Sequence, residues 1–76
     1  MINRNIFSCR LKQLRTEKNL SMQALATIVG LKNKGSIGQF ESCLHIPSAD
    51  ILVALADYFD VSLDYLVGRS DRPERK

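Results

Sequence analysis

The sequence predicts an all-α fold, a compact bundle of five short helices, on three observations. Apolar residues recur at helical spacing in successive stretches, as in Phe7, Leu11 and Leu14. Breaks carrying Ser, Gly or Pro separate those stretches: Ser21, Gly30, Pro47, Ser48, Ser62 and Gly68. No segment sustains the period-two alternation of a half-buried strand.

The first helix is expected over residues 5–18, where Phe7, Leu11 and Leu14 fall at i, i+4 and i+7. Asn19-Leu20-Ser21 interrupts it, and Ser21 is a good cap for a second helix running to about Val29. Gly30 then occupies the position favoured by a left-handed residue after a helix. Lys32-Asn33-Lys34 reads as a polar turn. Ile37, Phe40 and Leu44, spaced i, i+3 and i+7, mark a third helix over about 33–43 with those three turned inward. After His45-Ile46-Pro47, Ser48 caps a fourth helix whose Ile51, Leu52, Leu55, Ala56 and Phe59 form a wide apolar stripe. Ser62 caps a last short helix from Leu63 to about Val67, which Gly68 ends. The domain is therefore expected to span 1–68, leaving 69–76 as a charged, frayed tail.

The net charge of +3 is modest, but its distribution is not. Residues 1–47 hold seven basic side chains against Glu17 and Glu41, a net +5. Residues 48–68 hold Asp50, Asp57, Asp60 and Asp64 and no Lys or Arg, a net −4. The tail returns +2 through Arg69, Arg72, Arg75 and Lys76 against Asp71 and Glu74. Such segregation gives one end of the molecule suited to phosphates.

Other chemistries find little footing. Cys9 and Cys43 lie 34 residues apart without a CxxC pair, and His45 stands alone, so no metal and no cofactor is expected. With no signal peptide apparent, the thiols read as reduced, buried and cytoplasmic. No apolar run approaches the roughly 18 residues of a membrane span, so no membrane partner is expected. Paired carboxylates, a nucleophile with a base, and a Gly-rich phosphate loop after a strand are all missing, which argues against an enzyme and against a small-molecule substrate.

Two short helices joined by a tight turn, Ser21 to Gly30 and the helix holding Ile37 and Phe40, are the chain's most informative feature. Around them stand Arg10-Leu11-Lys12-Gln13-Leu14-Arg15, Leu20-Ser21, Leu25-Ala26, Gly30-Leu31, Ser36-Ile37, Gln39-Phe40-Glu41, Pro47-Ser48 and Val61 through Asp71. In order and spacing, residues 10–70 resemble the phage Cro and lambda-repressor-like family of helix-turn-helix regulators, often called the Xre family. The resemblance implies a sequence-specific DNA-binding transcriptional regulator, expected to be a repressor. A major groove about 12 Å wide admits one helix, while the helix before it crosses the backbone and holds the register. With Ile37, Phe40 and Leu44 inward, Gly35, Gln39 and Ser42 would face outward, flanked by Ser36 and Gly38, with Lys34 at the N-terminal end. Gln39 suits adenine, Lys34 guanine or phosphate, and Ser36 either base or phosphate. Lys32 and Asn33 complete the expected DNA-binding set from the turn, and Gln23 from the second helix.

The resemblance further implies that Arg15 pairs with Glu41 as a scaffold contact. It also exposes departures. Met22 stands where the family places a phosphate-holding glutamine, with Gln23 one place late, and the turn is one residue longer. Cys43 replaces a glycine after the third helix, and Leu44 a basic residue. One short helix reads too few base pairs to select a genomic site, so a homodimer on palindromic double-stranded DNA is expected. Tyr58, Val61, Leu63, Tyr65, Leu66 and Val67 are the expected dimer surface. Two rivals share the pattern. One is an antitoxin or other protein-interaction module on the same helix-turn-helix, for which no appendage is evident. The other is an RNA-binding KH domain through Gly35-Ser36-Ile37-Gly38, which needs a sheet that no strand here supplies.

Overall fold

The structure, a computed structural model, describes residues 2–74. It comprises α1 (Arg4–Glu17), α2 (Met22–Ile28), α3 (Lys34–Glu41), α4 (Ala49–Phe59) and α5 (Leu63–Leu66), with no strand among the described residues. The all-α bundle of five helices expected from the sequence is therefore observed, and helix ends differ from expectation by a residue or two.

Every helix starts on a side-chain cap. Asn3, Ser21, Ser48 and Ser62 accept from the backbone N–H of Ile6, Ala24, Ile51 and Tyr65, and Asn33 accepts from Gly35. Each cap satisfies one orphan donor, an interaction worth about 1 kcal/mol. Helix ends use left-handed residues: Gly30 at φ 85° follows α2, and Asp60 at φ 56° closes α4. Gly68, at φ 84°, follows α5 where the chain's two ends meet: the Asn3 amide donates to Val67 at 2.9 Å. A Cβ on Gly68 would stand 3.0 Å from the Cβ atoms of Asn3 and Ile6, so this approach requires glycine.

The core draws on all five helices. Phe7, Leu11, Leu25, Ile37, Leu55 and Leu66 are fully buried, and Phe40, Leu52 and Phe59 nearly so. Phe7 and Phe40 pack with ring centroids 6.4 Å apart and planes tilted by 60°, tying α1 to α3.

Four expectations are corrected. The third helix stops at Glu41 because Ser42 leaves the helix and Cys43 turns left-handed at φ 65°, which swings Leu44 outward to 64% exposure. Cys9 is exposed and Cys43 half-buried, so neither is a core thiol. Val61, Leu66 and Val67 seal the monomer core and Tyr65 is half-buried, leaving Tyr58 and Leu63 exposed from the expected dimer surface. The segment from Arg69 does not fray as far as it is described. Ser62 donates its N–H to Pro73 at 2.9 Å and its hydroxyl to Arg72 at 3.3 Å, and Arg10 donates to the carbonyls of Tyr65 and Ser70. Arg75 and Lys76, counted in the tail's charge, lie outside the described residues.

Candidate nucleic-acid interface

The α2–turn–α3 unit follows from local chemistry. Leu25 and Ala26 turn one face of α2 into the core, while Ile37 and Phe40 do the same for α3. The helices meet where α3 has no side chain: the place of a Cβ on Gly38 lies 3.8 Å from Met22 Sδ. Met22 is half-buried against the core, so it packs where the resemblance expected a phosphate-holding glutamine. The neighbouring Gln23 is exposed, with its amide 3.4 Å from Thr27 Oγ1.

The sequence-predicted residues divide in two. Lys32, Lys34, Gln39 and Ser42 are exposed and Ser36 is half-buried, and their side chains make no hydrogen bond or ion pair among the described residues. They form a strip along the turn (Lys32), α3 (Lys34, Ser36, Gln39) and the residue just past its end (Ser42). Asn33 and Gly35 instead have structural work. Asn33 Oδ1 accepts from the Gly35 N–H at 2.9 Å, which leaves only the Asn33 amide group to donate outward. A Cβ on Gly35 would stand 2.9 Å from that same oxygen, so glycine permits the cap. Gln23 lies on α2, apart from this strip.

The basic end is less free than composition suggests. Arg15 donates to Glu41 through Nε at 2.6 Å and Nη2 at 3.1 Å, and to the Leu20 carbonyl at 2.7 Å. Its side chain is 12% exposed and that of Glu41 4%, so the scaffold pairing implied by resemblance is present and buried. The hydrogen bond it donates to Glu41 holds the Arg15 guanidinium above its ordinary pKa, against the opposing effect of burial. Arg10 is also committed: besides the Tyr65 and Ser70 carbonyls it meets Asp71 at 3.2 Å and lies 4.0 Å over the Tyr65 ring. Lys18 leans over the Tyr58 ring at 5.5 Å, toward α4 and away from any phosphate role assigned by charge alone. Sequence reasoning took Arg10 as part of a basic surface, and only its later partners, at the far end of the chain, reveal otherwise.

Among the described residues no group of acidic, His or Cys side chains could hold a metal, and no helix is long and apolar enough to cross a membrane.

Comparison with known proteins places this geometry. A family model described as helix-turn-helix matches residues 11–66. The uncharacterized HTH-type transcriptional regulator YobD of Bacillus subtilis (strain 168) is 43% identical over 67 residues, covering 88% of this chain. The chain spans 59% of that relative's length. The P22 c2 repressor, solved in complex with a synthetic operator, superposes with a TM-score of 0.79 at 26% identity, over 86% of this chain and 97% of that one. The N-terminal DNA-binding domain of SinR from Bacillus subtilis gives 0.72 at 32% identity, over 82% and 90%.

Proposed function

The chain belongs to the helix-turn-helix family, and from that premise we propose that it is a sequence-specific DNA-binding transcriptional regulator, a repressor, reading the major groove with α3. The observation that carries this reading is the unpartnered polar strip on α3 and its turn, in a fold that superposes on a repressor solved with a synthetic operator. Gln39 and Ser42 meet base edges, and Ser36 and Lys34 meet base or phosphate near the helix start. Lys32, the Asn33 amide group and Gln23 hold the backbone, and Gly35 lets the duplex approach the helix closely. The DNA-binding unit is residues 1–68, and Arg10 draws Ser70 and Asp71 of the segment that follows against it.

The protein binds as a homodimer on a palindrome, with half-sites about 34 Å or a multiple apart. Supporting this, Leu63 is 42% exposed beside a cavity of about 270 Å³ that Ile2, Leu52 and Val67 also line. No catalytic activity, cofactor or small-molecule substrate belongs to this reading, and the protein works in the cytoplasm. Enrichment of duplexes from a randomised pool, followed by sedimentation on the winning duplex, tests it. The expected result is an inverted repeat carrying two protomers. A pool that shows no enrichment refutes the regulator. A monomer holding one half-site as tightly as the palindrome refutes the dimer.

A further inference from the structure

The C-terminal turn of α3 has an unusual support. A helix leaves its last carbonyls without intrahelical donors, and those ends are held by caps, water or tightened turns. At the end of α3 the Ser42 amide reaches Gly38 at 3.0 Å and the Leu44 amide reaches Gln39 at 3.0 Å, but the Phe40 carbonyl has only a long 3.4 Å approach from Cys43. The hydroxyl of Ser8, from the second turn of α1, donates to that carbonyl at 2.6 Å. Ser8 is 4% exposed, and its bond crosses between helices rather than returning to its own. Next to it, Cys43 Sγ sits 3.4 Å from Asn5 Oδ1 and 3.8 Å from the Arg4 carbonyl, so the first turns of α1 grip the end of α3 at several atoms.

We propose that Ser8 is a positioning residue for DNA reading: its hydroxyl anchors the last turn of α3 and so fixes where Gln39 and Ser42 meet the base edges. This rests on the assignment of α3 as the reading helix. Phe40 is flanked in sequence by Gln39 and follows it on the same turn, so a Phe40 carbonyl released from Ser8 frees the two outward side chains nearest the helix end. The N-terminal half, held by the Asn33 cap, does not depend on Ser8.

The test uses the whole chain with Ser8→Ala, and Thr16→Ala as the control. Thr16 also loses a hydroxyl from α1, but one bonded to the carbonyls of Lys12 and Gln13 in its own helix. Amide exchange of the free proteins is the first readout. Ser8→Ala is expected to speed exchange at Ser42, Cys43 and Leu44 about tenfold or more, with α4 little changed, and Thr16→Ala leaves those amides alone. Parallel selection from a randomised duplex pool is the second. The Ser8→Ala consensus should flatten at the base pairs nearest Gln39 and Ser42, with discrimination there down about fivefold or more, and stay sharp at those nearest Lys34 and Ser36. An unchanged consensus, or a uniform loss of affinity with the consensus intact, overturns the proposal. Should Ser8→Ala fail to fold, Ser8→Cys keeps a weak donor; a partly flattened consensus then supports the proposal and a wild-type one overturns it. A wild-type protein that enriches nothing defeats the DNA reading and not the anchor, which the exchange rates decide on their own.

Discussion

Breaking the Arg15–Glu41 pair should unfold a large part of the molecule's stability margin, and removing both partners should do less harm than removing one. For 76 residues the whole margin is about 4–11 kcal/mol. Arg15 makes three charge-assisted bonds from a site 12% exposed, two to a carboxylate 4% exposed and one to the Leu20 carbonyl. Arg15→Met strands the Glu41 charge and that carbonyl together, a loss of about 3–5 kcal/mol. In a domain this small each kcal/mol moves Tm by roughly 4–8 °C, so a fall of at least about 12 °C is expected. Glu41→Leu strands the guanidinium but leaves its Leu20 bond, and should lose somewhat less. The double variant Arg15→Met, Glu41→Leu strands no charge and should recover about 2 kcal/mol or more of the summed single losses. Urea melts of all four proteins, with m unchanged, measure the cycle. Single losses that add to within about 0.5 kcal/mol would refute the reasoning, because two buried, bonded charges cannot be energetically independent.

Gln39→Ala should lose about 1–3 kcal/mol on the enriched duplex and relax one base pair, whereas Lys32→Ala weakens all sequences alike; titrations on cognate and random duplexes separate the two. The salt dependence of binding should fall by about 0.9 in log–log slope for each phosphate-bound lysine removed. Lys34→Ala is expected to lower that slope, and Lys18→Ala, which strips a side chain lying over Tyr58, should leave it unchanged. Gly38→Ala should raise stability by about 0.5–1 kcal/mol, since its new methyl meets Met22 Sδ at an ordinary 3.8 Å in a helix interior. Gly68→Ala should lower it by about 2–4 kcal/mol through a left-handed backbone and a clash with Asn3 and Ile6; thermal melts of both give the opposite signs.

Much of the fold was legible because it is written locally. Ser21, Ser48 and Ser62 announce helix starts, and the positions of Phe7, Leu11, Ile37 and Phe40 announce buried faces, each within a span of a few residues. Leu44 was misread because a helical period was extended past the point where Cys43 adopts a left-handed backbone, a conformation its residue type does not advertise. Asn33 read as a surface ligand, and its role as a cap was missed, since the side chain suits both. The candidate strip was legible by subtraction from the buried face. What could not be read were the long-range bonds of Ser8 and Arg10, whose partners lie 32 and up to 61 residues away.

The strip on α3 keeps its chemistry separate from that of the fold, with a consequence for how such a protein changes over time. The side chains of Lys32, Lys34, Gln39 and Ser42 hold nothing else in place, so, if they read DNA as proposed, a lineage can rewrite them one by one and acquire a new DNA address without passing through an unstable intermediate. Asn33 and Gly35 have no such licence, because each change there disturbs the start of the helix that carries the others. On the proposed reading, recognition in this molecule is a replaceable alphabet mounted on a fixed frame, and duplicated copies of the chain are expected to diverge first at those four positions.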